Sequence, residues 1–196
     1  MSTSADIIER WIKPNASVLD LGCGDGSLLR LLMRTKSVNG YGLEIDYANI
    51  TQAIANGVNV IEQNIDEGLD NFADASFDTV IMSQTLQAIH YPHVAMEEVL
   101  RIGKEGVITF PNFAHWRCRY YLGTRGKMPV SKFMPYSWYD TPNIHFCTVR
   151  DFEALCAEKS IRILDRAFVN MKNQSPWRAK RWPNLFAVNA IFRISK

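Results

Sequence analysis

The sequence predicts an α/β fold: a mostly parallel seven-stranded sheet with helices on both faces and a C-terminal antiparallel hairpin. Three observations predict it. Short β-branched runs alternate with helix-period segments through the first 110 residues, which is the pattern of βαβ units. A glycine-rich turn follows the first of those runs, where sheets of this kind hold ligands. The 196 residues also show no repeat, low-complexity tract or linker, so a single domain over 1–196 is expected.

Taken in order, a short amphipathic helix is expected at Ala5–Ile12. Strands follow at Ser17–Leu21, Asn39–Glu44, Val58–Ile61, Asp78–Ser83 and Gly106–Phe110, each short and apolar enough for a buried parallel strand. Helices fit between them at Ser27–Arg34, Tyr47–Asn56 and His93–Arg101. The pattern then breaks. Residues 111–143 contain Pro111, Pro129, Pro135 and Pro142 among many aromatics, and hold neither helical nor strand period for long. A connection of that length is read as a functional insertion, at about 111–147. Helix Val149–Lys159 follows, with Thr148 and Asp151 placed to satisfy its first free amides. Strands at Ile161–Val169 and Asn184–Ile194, joined by a polar, proline-containing loop, complete the sheet.

Composition excludes several classes. Hydrophobic residues make up 47% and charged residues 21%, as in a folded globular chain rather than a disordered one. A net charge of +2 is no basic stripe, so no nucleic-acid partner is expected. The basic stretches Trp116–Arg119 and Trp177–Arg181 read instead as solvated faces or anion contacts. Cys23, Cys118, Cys147 and Cys156 form no C-x-x-C pair and suggest no disulfide framework. The first thirteen residues lack the basic start and apolar core of a signal peptide. No apolar run approaches the roughly 18 residues of a membrane span. A soluble, cytoplasmic protein with no membrane partner is the expectation.

The segment Val18-Leu-Asp-Leu-Gly-Cys-Gly-Asp-Gly-Ser-Leu-Leu carries the most chemistry. A strand runs into Gly22, Gly24 and Gly26 and then into a helix, so backbone can approach a ligand with no Cβ in the way. The spacing is G-x-G-x-G, not the G-x-G-x-x-G of a nicotinamide site. Asp20 and Asp25 flank it, and two carboxylates would repel a pyrophosphate. They suit a cation. S-adenosylmethionine (SAM), with its ammonium and sulfonium groups, matches such a loop, and its product S-adenosylhomocysteine shares most of the same contacts. Glu44 stands twenty positions after Gly24, at the end of the second strand, where an acid accepts both ribose hydroxyls; Ile45 follows it. After the third strand come Gln63, Asn64 and Ile65: an amide for the adenine amino group and an aliphatic side chain for the ring. After the fourth come Ser83, Gln84 and Thr85.

Catalytic machinery is less defined. A methyl acceptor needs a base only when it must lose a proton. His115, Tyr139 and His145, with Asp140 beside them, are the candidates, and each has an equally plain reading as a packing or turn residue. A metal is not expected: His90 and His93 are separated by Pro92, and His145 and Cys147 have no further ligand pair. In the insertion, Trp116, Tyr120, Tyr121, Phe133, Tyr136, Trp138 and Tyr139 interleave with Arg117, Arg119, Arg125, Lys127 and Lys132. That mixture suits a lid over a small anionic substrate, a protein interface or a local satellite core.

The runs Val18–Leu29, Tyr41-Gly-Leu-Glu-Ile-Asp46 and Ser76-Phe-Asp-Thr-Val-Ile81 resemble class I SAM-dependent methyltransferases, which have a Rossmann-like fold. Within that superfamily, four further runs are similar to the methionine biosynthesis protein MetW family. They are Asn56-Gly-Val-Asn-Val60, Ser83-Gln-Thr-Leu-Gln-Ala88, Phe110-Pro-Asn-Phe-Ala-His-Trp-Arg117 and Trp138-Tyr-Asp-Thr-Pro-Asn-Ile-His145. The resemblance spans essentially the whole chain. It implies a SAM site at Asp20, Gly22, Gly24, Glu44 and Asn64, the last an Asn where many methyltransferases carry Asp. It also implies a partnership with homoserine O-acyltransferase, whose activity such proteins support. The alternative is a SAM-dependent methyltransferase acting on a small molecule.

Overall fold

Alternating apolar runs build one seven-stranded sheet. In the computed structural model, which describes residues 4–130, 134–172 and 174–196, the strands are β1 (Ser17–Leu21), β2 (Asn39–Glu44), β3 (Asn59–Glu62), β4 (Phe77–Ser83), β5 (Gly103–Pro111), β6 (Arg162–Val169) and β7 (Asn189–Ser195). Their order is β3-β2-β1-β4-β5-β7-β6. Neighbours from β3 to β5 run parallel, while β7 is antiparallel to both β5 and β6. The chain winds outward from β1 to β3 and returns to β4 on the other side of β1. The strand order therefore reverses between β1 and β4, and a crevice opens at their carboxyl ends.

Side chains alternate across the sheet and give each face its own core. Val18, Ile81, Val107 and Ile191 pack with Ile7 and Ile8 of α1 (Ser4–Trp11), Leu29 and Leu32 of α2 (Ser27–Lys36) and Ala53 of α3 (Tyr47–Ala55). The later helices are α4 (Pro92–Ile102), α5 (Trp116–Arg125), α6 (Val149–Glu158) and the short α7 (Trp177–Arg181) and α8 (Pro183–Phe186). On the opposite face, Leu19, Val80, Ile108 and Phe192 pack with Met96 and Val99 of α4 and Phe152 of α6. Phe110, Phe152 and Phe192 meet there with ring centroids 4.6 to 5.9 Å apart. α6 begins as the sequence predicts. The Asp151 amide donates to Thr148 Oγ1 at 3.2 Å, and the Thr148 amide donates to Asp151 Oδ2 at 3.1 Å. No helix among the described residues is long and apolar enough to cross a membrane.

Three expectations are corrected. Residues 111–143 are not irregular throughout, because α5 occupies Trp116–Arg125, with His115 capping its start and Gly126 at φ 60 ending it. Its apolar period was hidden because Cys118 is its one buried residue. The last strand starts at Asn189 rather than Asn184. Residues 183–186 form α8 instead, since Pro183 presets a helical first turn. The polar loop before it contains α7. Lys132 and Phe133, counted with the aromatic and basic segment, lie outside the described residues.

One close approach positions the site. β2 passes under the turn that follows β1, and a Cβ on Gly42 would collide with Cys23 Sγ and lie 2.8 Å from its Cβ. Gly42→Ala is expected to cost about 1–3 kcal/mol through overpacking, read as a lower urea midpoint at unchanged slope. An unchanged midpoint would mean that Cys23 yields freely.

Candidate cofactor site

The site grows out of the turn after β1. Gly22 and Cys23 both donate their amides to the Leu43 carbonyl at 2.9 Å, which ties the turn to β2. Gly22, Gly24 and Gly26 take φ values of 75, 55 and 72°, a region that side chains disfavour. At Gly22 a Cβ would also stand 2.6 Å from Thr85 Oγ1, so the turn meets the segment after β4 only because the side chain is missing. Glu44, at the end of β2, holds the other side. Its Oε2 accepts from the Gly24 amide at 2.8 Å, and its Oε1 accepts from Ile45 at 2.8 Å and Asp46 at 3.0 Å. A carboxylate has about four acceptor sites, so capacity remains for a ligand hydroxyl.

A cavity of ≈ 350 Å³ lies at these strand ends, within the usual range for a small-molecule site. Gly22, Glu44, Ile45, Asn64, Ile65 and Ser83 of the sequence-derived set line it. Asp20 and Gly24 do not. Gly24 faces Glu44 from the turn, and Asp20 lies beneath the turn at 1% exposure. Strand alternation puts Asp20 on the α2 face, in register with Gly42 and Ile81, and its Oδ1 is buried without a hydrogen-bond partner. Burial, and after it the nearby Glu44 charge, push the Asp20 carboxyl up to about 8.

The polar groups at the third and fourth strand ends also hold the loops in shape. Asn64 caps a 3-10 turn at Ile65–Glu67, accepting from the Asp66 amide at 3.1 Å. Gln63 exchanges side-chain amide hydrogen bonds with Asn71 at 2.9 and 3.0 Å. Gln84 sits at φ 61°, which costs of order 1–3 kcal/mol in a non-glycine residue. It is kept there by its amide's bonds to the Thr109 carbonyl and to Thr109 Oγ1.

Asn49, Asp66 and Pro142 also line the cavity and were not singled out from sequence. Asp66 Oδ2 lies 2.8 Å from His90 Nδ1, and Oδ1 accepts from the His90 amide at 2.9 Å. Burial would raise the Asp66 carboxyl, but the His90 contacts outweigh it and hold it below the ordinary value. Pro142 arrives from the insertion, whose Ile144 and His145 amides both donate to the Gln87 carbonyl at 2.8 and 3.0 Å.

None of the three candidate bases lines this cavity. His145 is a strut: its Nε2 lies 3.2 Å from the His90 carbonyl. Tyr139 is 75% exposed and packs edge-on against Trp138. His115 is buried at the start of α5, its Nδ1 accepting from the Arg117 amide at 3.3 Å. Burial, and after it Arg117, push its ring down to about 4, so it is neutral at physiological pH.

Residues 3–194 match the family described as methionine biosynthesis protein MetW. The chain belongs to the MetW family. A relative from Rhodopirellula baltica, named bifunctional methionine biosynthesis protein MetXA/MetW, is 32% identical over the whole chain. This MetW-family chain spans about a third of that relative's length, 33%. Solved structures share the fold. A SAM-dependent methyltransferase from Mesorhizobium loti superposes with a TM-score of 0.70 at 16% identity, covering 98% of both chains. One from Archaeoglobus fulgidus gives 0.69 at 17%, covering 98% of this chain and 95% of that one. The [4+2]-cyclase SpnF gives 0.69 at 14%, covering 98% of this chain and 79% of its own. The MetW-family sheet is thus the class I methyltransferase sheet, and that same sheet also hosts a cyclase, so chemistry does not follow from fold alone.

Proposed function

We propose that this chain binds SAM in the cavity at the ends of β1, β2 and β4 and acts with a homoserine O-acyltransferase in methionine biosynthesis, in the cytoplasm. The observation that carries the reading is the relative in which a MetW part and a MetXA part share one polypeptide. We take the MetXA part as the acyltransferase that the family resemblance implies. All four cysteines are free, which suits a reducing compartment.

The residues fit SAM on their own chemistry. The carboxylate of Glu44 gives the site a negative wall, and Asp20 beneath the turn, with its orphaned Oδ1 and its raised carboxyl, holds a proton that a ligand with an ammonium and a sulfonium would favour releasing. Glu44 would hold the ribose with its spare acceptor capacity, Asn64 the adenine amino group and Ile65 the ring face. SAM supplies an activated methyl group when bound. In this reading the chain's own residues bind and orient the ligand, and the ligand's presence is communicated to the partner. Such coupling requires SAM to bind the free and partnered chain with different affinity.

The test is homoserine acylation by the acyltransferase with and without this chain, across separate titrations of SAM and S-adenosylhomocysteine. Stimulation by the chain is expected, and it is expected to change with SAM. Absence of stimulation at every SAM level would sink the partnership. One observation favours a second reading, methyl transfer to a small molecule. The Asp66–His90 pair beside the cavity orients an imidazole as a base would be oriented. Equal stimulation by SAM and S-adenosylhomocysteine would exclude methyl transfer as its cause.

A further inference from the structure

The two basic stretches Trp116–Arg119 and Trp177–Arg181 come together in space. Trp116 and Arg117 at the start of α5, and Trp177 and Arg178 on α7, line one cavity of ≈ 310 Å³, with Met171 and Phe186 as further wall. The aromatic surface continues beyond it. Trp182 lies 5.8 Å from Trp177, centroid to centroid, and Phe186 lies 6.3 Å from Trp182. Trp116, Trp177 and Trp182 are 42, 64 and 47% exposed, three of the chain's five tryptophans. A guanidinium stands over each indole: Arg117 at 5.4 Å, Arg178 at 5.6 Å and Arg181 at 5.4 Å from the ring centroid. None of the three pairs with a carboxylate among the described residues, and no acid lines the cavity.

The platform is held in place from within. Asn112 is fully buried just past the end of β5, and its Nδ2 donates to the Ala187 carbonyl at 2.9 Å and to those of Pro183 and Asn184 at 3.3 Å. Arg119 donates from Nε to the Ala114 carbonyl at 2.7 Å, bracing the start of α5. A surface whose aromatic side chains are already ordered loses little entropy when covered. Tryptophan and arginine are the residues that dominate protein interfaces. The row of indoles extends past the cavity, so a ligand small enough for ≈ 310 Å³ would leave Trp182 uncovered.

We infer that this tryptophan–arginine face is where the chain docks on the homoserine O-acyltransferase, against a patch of that enzyme with an apolar centre and carboxylates around it. The inference rests on the partnership proposed above. The relative names the occupant: there, the module is joined to a MetXA part in one polypeptide. The chemistry of the face sets the match, since unpaired cations over an aromatic bed select for opposing acids.

The experiment measures binding of the purified acyltransferase to the 196-residue chain and to a double variant, Trp177→Ala with Arg178→Glu. A second double variant, Trp138→Ala with Tyr139→Ala, removes exposed aromatics elsewhere and should bind like the parent. The first variant is expected to bind the acyltransferase at least tenfold more weakly, with SAM affinity unchanged because neither residue lines the SAM cavity. Equal loss in both double variants, or none in the first, overturns the docking face and leaves the partnership standing. No binding by the parent chain overturns the partnership itself. A first variant that keeps the acyltransferase but loses affinity for pyrophosphate makes the cavity a small-anion site and also overturns the inference.

Discussion

Replacing Glu44 with alanine is expected to weaken SAM binding by at least about a hundredfold. The ribose would lose a hydrogen bond to a charged acceptor, worth roughly 1.5–3 kcal/mol, and 1.4 kcal/mol is tenfold in affinity. The substitution also frees the amides of Gly24, Ile45 and Asp46, all of which donate to this side chain. The glycine turn would then be held to β2 by the Gly22 and Cys23 amides on the Leu43 carbonyl alone. Part of the lost affinity would therefore come from an untied loop. Glu44→Gln separates the contributions. It keeps one oxygen for backbone donors but turns an NH₂ toward the others, so it should bind SAM between the two. Calorimetric titration of the three proteins, with thermal melts of each without ligand, gives both numbers. Unchanged SAM affinity in the alanine variant would remove Glu44 from the site.

Sequence and structure agree where the signal is local. β1, the glycine turn and β2 could be read because a buried apolar run, three glycines and an acid at the next strand end each impose a constraint within a few residues. The same holds for α6, whose capping pair lies within one turn. What sequence did not disclose is set by contacts across the chain. Asp66 reaches the cavity as half of a pair with His90, 24 positions away, and no spacing rule connects them. Pro142 reaches it because the carbonyl of Gln87 collects two amides from the insertion. α8 displaced the predicted start of the last strand, since Asn112 fixes the carbonyls of Pro183, Asn184 and Ala187 from more than seventy residues away. The tryptophan–arginine face had the same fate. Each stretch is visible alone, and their meeting depends on the fold bringing the start of α5 beside α7.

Asp20→Asn is expected to stabilise the ligand-free protein and to weaken its hold on SAM, and the first effect should grow with pH. The carboxyl is at the ordinary value of about 3.8 in the unfolded chain and is pushed up to about 8 in the fold, by burial first and then by Glu44. Between those two values the folded state carries one more proton than the unfolded state, so native stability falls as pH rises, by up to about 1.4 kcal/mol per pH unit. Above about 8 the loss is complete and the curve levels. Asparagine cannot ionise, so the variant lacks this slope, and its advantage in melting temperature should widen from pH 5 to pH 8 and then hold constant. A cationic ligand reverses the preference. SAM beside Asp20 favours the carboxylate, so binding at pH 7 should expel a proton from the parent and none from the variant. Titration in two buffers of different ionisation enthalpy measures that proton directly. If parent and variant release the same number, or if their melting temperatures stay parallel across the pH range, Asp20 is not the titrating group under the glycine turn. If both differences appear, the unpartnered oxygen beneath the turn is a stability cost that the protein keeps for the sake of its cation.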